Sequence, residues 1–295
     1  MTEAKDLSSS AAKTGQALDA QRFQMLKDIA EELAGDVVFP VNIDLLQRLR
    51  KALPNSADLD AGELARLVGV EPLIAARLMG LAHAAQRNPA RKPARNLKSA
   101  IERIGTGNAR AIALAITGEQ LTRSRSMVEH DEFSRRLWDH SLYAASAAHV
   151  ISRKLTRIDP EEAMLAGLVH DLGAFYMLYR ATQYDELRVR PDSVRHLIRK
   201  WHESIGHALL VSLDVPEFIT EAIRDHDQPR QPPSRPRGMA DVVYLSNLLA
   251  RDKFGWQTPD AGMLTAQLTV RESCRELADE IDTHQKQLRS ILYAN

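Results

Sequence analysis

Residues 160–173 read PEEAMLAGLVHDLG, and this stretch decides the fold class. Its middle part, 163–169, is apolar on every side, so a helix formed here has no polar face and is expected in the centre of the molecule. The helix runs directly into His170 and Asp171. A polar pair at the end of a buried helix costs free energy unless other groups hydrogen-bond to it or a metal binds it. The sequence therefore predicts a buried polar cluster inside a helical protein.

Two other segments place a histidine on the apolar face of a predicted helix. A long helix is predicted over 131–154, and His140 lies in phase with its apolar stripe of Phe133, Leu137, Ala144, Ala148 and Ile151. His226 follows Ile219 and Ala222 at helical spacing. Packing these apolar faces together would bring the polar side chains to one place, around a metal or within a hydrogen-bond network.

The remaining pattern is also helical. No run of five residues combines period-2 alternation with the β-branched residues typical of strands, so we predict an all-α protein. Asp60 and Glu63 form a capping-box pattern, and Pro72 is suited to a first helical turn. Apolar positions recur at helical spacing over 18–34, 43–53, 60–68, 72–81, 97–104, 108–118, 192–212, 216–226, 239–252 and two segments within 260–292.

Composition excludes several classes of protein. The 39 basic and 39 acidic residues cancel, which argues against a nucleic-acid coat, although a local basic patch is allowed. The single cysteine, Cys274, rules out an intramolecular disulfide and a cysteine-rich zinc site. No apolar run is long enough to span a membrane, and the N-terminus lacks the apolar segment of a signal peptide. We therefore predict a cytoplasmic protein with no membrane partner.

Histidines concentrate in the second half of the chain. Seven of the ten lie between His140 and His226, and four of these adjoin a carboxylate. These four sites are Asp139-His140, His170-Asp171, His202-Glu203 and Asp225-His226-Asp227.

The order of these motifs resembles a known superfamily. His140 followed by His170-Asp171 is similar to the H…HD signature of HD-superfamily metal-dependent phosphohydrolases. Extended over roughly 35–252, the match is closer to the HDOD domain, the HD-related output domain of bacterial signalling proteins. The further segments that carry it are Phe39-Pro40, Glu71-Pro72, Ala100–Gly105, His202–Gly206, Val215-Pro216 and Val242–Ala250.

The resemblance implies a domain organisation. It predicts an HD-like helical bundle over 35–255 in two packed halves, 35–125 and 126–255. Outside it we expect a flexible leader over 1–17, an N-terminal helix over 18–34 and a C-terminal helical extension over 256–295.

The resemblance also implies a degenerate site. The candidate metal ligands are His140, His170, Asp171 and Asn247, with His202, His226 and Asp227 as a secondary cluster. Asn247 stands where catalytic HD enzymes have a final Asp, and Ala174 stands where cyclic-dinucleotide phosphodiesterase relatives often have Lys. Asparagine brings no negative charge to a divalent ion. We therefore expect no catalytic residue and no tightly bound cofactor. A buried polar network, or a site with weakly held Mn²⁺, Mg²⁺, Fe²⁺ or Zn²⁺, fits these residues.

Three functions follow, in decreasing order of support. The first is a non-catalytic signalling adaptor that binds protein partners. The second is a metal-dependent phosphohydrolase that takes a nucleotide or cyclic dinucleotide as ligand. The third is DNA binding through a helix-turn-helix-like segment, 60–82, although its second helix offers mainly Arg77 to reach bases and an ordinary αα-hairpin explains the same residues. A basic loop supplies candidate phosphate or partner contacts: Arg87, Arg91, Lys92, Arg95 and Lys98.

Overall fold

The computed structural model describes residues 3–33, 37–84, 93–256 and 261–291. Within these ranges the regular structure consists of α-helices and short 3₁₀ turns, without strands. The prediction of an all-α protein is therefore confirmed. No helix in the described ranges combines the length and apolar character that crossing a membrane requires.

The N-terminal half is a group of short helices. They are α1 (Glu3–Glu32), α2 (Ile43–Ala52), α3 (Ala61–Val68), α4 (Pro72–Ala84), α5 (Leu97–Ile104) and α6 (Thr106–Arg123). The predicted capping box is present at α3, where Asp60 accepts from the Glu63 amide and Glu63 accepts from the Asp60 amide. A 3₁₀ turn, Ser124–His130, connects this half to the next.

The second half surrounds the HD motif. Its helices are α7 (Asp131–Leu155), α8 (Pro160–Val169), α9 (Leu172–Ala181), α10 (Asp185–Arg188), α11 (Pro191–Ser212), α12 (Glu217–Ile223) and α13 (Met239–Phe254). α7 packs against α8 and α13, and α9 packs against α11. α8 is buried on nearly all sides, as its composition predicts.

Two helices follow the bundle, α14 (Ala261–Ser273) and α15 (Ala278–Ile291). α14 packs on α13, and α15 packs on α7. One apolar core contains side chains from both halves, including Leu73 of α4 and Phe175 of α9. A second, smaller core lies between α7, α13, α14 and α15.

The start of the chain differs from the prediction. We expected a flexible leader through residue 17, whereas α1 begins at Glu3. Met25 and Ile29 anchor the C-terminal part of this helix in the main core. The segment before them contains no proline and several good helix formers, so a helix anchored downstream can extend through it.

The segment that resembled a helix-turn-helix is an internal αα-hairpin. α4 buries most of its residues, so it has no free face to enter a DNA groove. Arg77, the side chain expected to reach bases, donates from Nη2 to the Val37 carbonyl at 2.7 Å. The small residues of α4 serve close packing, because a Cβ on Gly80 would lie 1.6 Å from the Leu213 carbonyl oxygen.

Candidate functional site

His140 is at the centre of the buried cluster. It lies on α7, and its Nε2 is 3.2 Å from His170 Nε2, 3.1 Å from Asn247 Oδ1 and 3.3 Å from Asp171 Oδ2. The ring is fully buried, and among the described residues its Nδ1 has no hydrogen-bond partner. The apolar stripe of α7 therefore brings the histidine to the other helices, as the sequence predicts.

Asp171 connects two groups of histidines. It lies in the turn between α8 and α9, and its Oδ2 faces His140 and His170, the latter at 3.5 Å from Nε2. Its Oδ1 lies 3.2 Å from His226 Nε2 and 3.5 Å from His202 Nε2. Two sets of three potential metal-ligand atoms, each set within 4.8 Å, therefore share this carboxylate.

A close approach of α9 and α11 places His202 in the cluster. A Cβ added to Gly173 would lie 2.2 Å from the His202 carbonyl oxygen and 2.4 Å from the Gly206 amide nitrogen. Only glycine at position 173 allows the two backbones to come this close. The glycine after the HD pair thus sets the distance between Asp171 and His202.

Three polar side chains lie against Asp227. Asn247 Nδ2 donates to its Oδ1 at 2.6 Å, His202 Nε2 lies 3.1 Å from its Oδ2, and Arg251 Nη2 also binds Oδ2. Arg251 and Asp227 form an ion pair in which both side chains are at most 10% exposed. The carboxylate is therefore neutralised by a neighbouring guanidinium within the protein.

Trp256 covers the other carboxylate. Its Nε1 donates to Asp171 Oδ2 at 2.9 Å, and its ring packs edge-on against His202 with centroids 5.2 Å apart. On its outer side is a cavity of about 360 Å³ that is lined also by Phe133, Arg136 and Arg195. Trp256 is thus a wall between this cavity and the histidines.

Backbone carbonyls orient three of the imidazoles. His170 Nδ1 lies 2.8 Å from the Gly167 oxygen, and His202 and His226 make the same contact with the oxygens of Ile198 and Ile223. A neutral ring that donates from Nδ1 leaves its Nε2 lone pair free. All three Nε2 atoms face the cluster, an orientation that would suit metal ligands.

The charges of the cluster are strongly coupled. Burial lowers the pKa of His140 to about 3 and also lowers the pKa of His170. Burial opposes the charge of His226 too, but the hydrogen bond with Asp171 and the carboxylate of Asp227 outweigh it and raise its pKa to about 9. Burial disfavours the ionised forms of both aspartates, yet neighbouring histidines and Arg251 hold their pKa values well below the ordinary range.

The donor atoms suit a divalent ion, but the charge does not. Imidazole Nε2 atoms and a shared carboxylate are ordinary ligands for zinc, iron or manganese. Asn247 contributes a neutral oxygen, however, while Arg251 neutralises Asp227 and Trp256 already binds Asp171. A divalent ion would meet two carboxylates that protein groups already bind, and a nearby guanidinium.

The basic residues predicted to contact a phosphate or a partner are not part of this cluster where the structure describes them. Arg95 donates from Nη2 to Glu162 at 2.7 Å and lies over the Phe218 ring, so it stabilises the fold instead of being free for a phosphate. Lys98 is 3.9 Å from Glu102 in an exposed pair on α5. Arg87, Arg91 and Lys92 lie outside the described residues.

Sequence reasoning missed two residues of the site, Arg251 and Trp256. Arg251 had a usable signal, because it lies one helical turn after Asn247 and hence on the same face of α13. Trp256 had no such signal. It follows the end of α13, where no helical period predicts which way a side chain faces.

Solved structures with the same fold include a response regulator and a candidate phosphohydrolase. The MmoQ response regulator from Methylococcus capsulatus str. Bath has a TM-score of 0.61 and 21% identity, with 81% of this chain and 93% of that chain covered. A candidate metal-dependent phosphohydrolase from Shewanella amazonensis SB2B has a TM-score of 0.51 and 18% identity, with 94% and 99% covered. At such identities the likeness shows the fold alone. Among curated proteins, none matches.

The family itself is shown by sequence. The family model of the HDOD domain matches residues 39–229, which is more than half of the chain and includes the HD pair, His202 and His226. The match ends before Asn247, Arg251 and Trp256. On this match and the helical cluster described above, the chain belongs to the HDOD family.

Proposed function

We propose that this chain is a cytoplasmic, non-catalytic signalling adaptor of the HDOD type that acts through contacts with protein partners. The residues around Asp171, namely His140, His170, His202, His226, Asp227 and Asn247, form with it what we call the HD cluster. The observation that supports the proposal most is the ion pair between Arg251 and Asp227, next to Asn247, in this cluster. Apart from His140 Nδ1, protein groups pair the charged and polar side chains of the cluster with one another. It resembles the buried network of a structural module more than a site prepared for a reaction.

Access to the cluster supports the same proposal. His140, His170 and His202 are fully buried, and Asp171 is 1% exposed. Hydrolysis at a metal site requires that a substrate phosphate reach the metal and its bound water. Trp256 separates the histidines from the cavity lined by Phe133, Arg136 and Arg195.

The fold relative named as a response regulator supports a role in signalling. In this proposal the outer surfaces of the helices contact the partner, and the cluster keeps α7, α8, α11 and α13 in register. The hairpin of α3 and α4 contributes packing instead of DNA contacts, since α4 is buried.

A metal-dependent phosphohydrolase is the second candidate. It is favoured by the two groups of potential ligands that share Asp171, and by the fold relative from Shewanella amazonensis SB2B. In that case Trp256 would have to move for a nucleotide or cyclic dinucleotide to reach the histidines.

A turnover assay separates the two candidates. The full chain is incubated with a panel of nucleotides, cyclic dinucleotides and a generic phosphodiester, with added Mn²⁺, Mg²⁺ or Fe²⁺. We expect no release of product above that of His170→Ala. Metal-dependent turnover that His170→Ala abolishes would establish the phosphohydrolase and contradict the adaptor.

A further inference from the structure

Two histidines outside the HD cluster stack on each other. His149 of α7 and His284 of α15 have ring centroids 4.3 Å apart and planes inclined by 13°. The Nδ1 atom of each ring is buried and has no hydrogen-bond partner among the described residues. The stack forms part of the contact between the C-terminal helix and the bundle.

The rest of this contact is modest. α15 inserts Ile281 and Leu288 into the apolar cores. Its ion pairs are partly exposed: Glu280 with Arg153 and Lys154, Asp282 with Lys253, and Arg289, which also lies over the Trp138 ring, with Asp139. Pairs near the surface contribute little free energy. The histidine stack therefore attaches α15 together with two apolar side chains and these partly exposed pairs.

Charged groups from three helices face the stack. Arg153 lies one turn after His149 on α7 and binds Glu280 of α15. On the α8 side, Glu161 Oε1 is 3.6 Å from His149 Nδ1, and Asp159 is the N-cap residue of that helix. The guanidinium opposes a positive charge on either ring, whereas the two carboxylates favour one on His149.

We propose that the His149–His284 stack is an acid-sensitive latch, which holds α15 on α7 while both rings are neutral and releases it when a ring is protonated. Two stacked imidazoles attract each other through their ring faces, but a proton on one places a buried cation beside Arg153. On His149 the Glu161 carboxylate at 3.6 Å offsets part of the cost of this charge, whereas on His284 burial and Arg153 both oppose it. Undocking α15 returns the charge to water. The latch would operate whether the chain is an adaptor or an enzyme.

The direction of the pH dependence follows from the surroundings. Burial, then His149 and Arg153, lower the pKa of His284 from 6.5 to about 4. Burial and Arg153 also lower the pKa of His149, although Asp159 and the Pro160 backbone oppose them. His284 therefore binds a proton more readily when α15 is released than when α15 is docked. The equilibrium constant for docking of α15 is greatest above about pH 6.5 and falls as the pH drops toward about 4. Between about pH 7.5 and about pH 5.5 it falls about tenfold.

Hydrogen exchange on the full chain tests the latch. Protection factors of the α15 amides, corrected for the intrinsic exchange rate, are measured at about pH 7.5 and about pH 5.5. The amides of α8 serve as an internal reference. We expect the protection of α15 to fall at least about tenfold relative to α8. Equal protection of α15 at the two pH values would overturn the proposal.

Three variants identify the groups responsible. His284→Phe keeps a stacking ring but cannot take up a proton, and we expect it to remove most of the pH dependence. The double variant His149→Gln/His284→Gln should remove it completely, even if α15 is less protected throughout. His207→Gln is the matched control, because His207 pairs with Glu221 and Arg224 at the surface. The latch is refuted if the double variant retains the tenfold change or if the control loses it.

Discussion

The side chains of Arg251 and Asp227 are 6% and 10% exposed and bind each other. Removing one member of a buried pair leaves an uncompensated charge, which is far more costly than losing an exposed pair. We expect Arg251→Met, which keeps an unbranched side chain, to lower the free energy of unfolding by about 3 kcal/mol. Urea denaturation at neutral pH measures the loss.

The same helix offers a control for this prediction. Lys253 pairs with Asp282, and the two side chains are 42% and 34% exposed. Lys253→Met should change the free energy of unfolding by less than about 1 kcal/mol. The double variant Arg251→Met/Asp227→Asn should recover part of the loss of the single variant. Equal effects of the two single variants would show that Arg251 does not neutralise a buried carboxylate.

At the residue scale, much of the site was predictable from the sequence. His140 lies on the apolar stripe of its helix and His170-Asp171 ends an apolar helix, so burial alone predicts that they converge. The pairing of Arg95 was not predictable, because a basic residue in a Pro-rich stretch resembles a free surface charge. Its partner Glu162 is 67 residues away along the chain, and no local pattern reports such a pair.

Gly173 sets the distance between the backbones of α9 and α11. A Cβ there would overlap the backbone of α11 at His202 and Gly206. Overpacking of this kind forces the backbones apart, so we expect Gly173→Ala to destabilise the protein by at least about 2 kcal/mol. Thermal unfolding followed by circular dichroism measures the effect.

Gly118, in the interior of α6, is the matched control. A Cβ at Gly118 meets nothing within 4 Å. Gly118→Ala should therefore be stabilising, by up to about 1 kcal/mol, because alanine favours a helix. If both substitutions stabilise the protein, the close approach of α9 and α11 does not hold them in register.

Glu71 makes the start of α4 sensitive to pH. This fully buried carboxylate accepts a 2.5 Å hydrogen bond from the Ile74 amide, but burial raises its pKa to about 7. The folded protein thus favours the protonated acid, so stability from this group is greatest below about pH 4.5 and is lost as the pH rises toward 7. Between pH 5 and pH 8 the loss is about 2 kcal/mol.

Glu71→Gln keeps an acceptor for Ile74 and cannot ionise. We expect it to be more stable than the wild type at pH 8 and similar to it at pH 5, as measured by urea denaturation. The exposed Glu102→Gln serves as the control and should leave the pH profile unchanged. A wild-type profile that Glu71→Gln does not flatten would contradict a raised pKa at Glu71.

At the element scale, helices with a clear apolar face were predicted within a few residues. We predicted 131–154, 160–170 and 192–212, and the structure has Asp131–Leu155, Pro160–Val169 and Pro191–Ser212. α9 was not predicted, although LGAFYMLYRA is nearly as apolar throughout as α8. The N-terminal part of α1 was missed, since its sequence has no apolar stripe.

On the scale of the whole molecule, the polar cluster is enclosed by the core. Side chains of the N-terminal half, the HD half and α15 contribute to one apolar core around it. Such an arrangement stabilises the relative positions of the helices and leaves their outer faces for partners. The sequence predicted the cluster and its missing aspartate, but its closure depends on Arg251 and Trp256, whose positions follow only from tertiary packing.

We propose that the HD cluster is a network of protein groups without a tightly bound metal. A divalent ion there would meet two carboxylates that protein groups already bind. A missing charge at about 4 Å costs several kcal/mol of attraction at moderate dielectric. Asn247→Asp, which restores a carboxylate beside His140, should increase the affinity for Mn²⁺, as measured by calorimetry.

The most direct measurement is the metal content of the purified full-length chain. It is dialysed without chelator and analysed for manganese, iron, zinc and magnesium, alongside His170→Ala. The account predicts far less than one equivalent of any divalent ion in the wild type, with no difference from His170→Ala. One equivalent or more per chain, lost in His170→Ala, would contradict it.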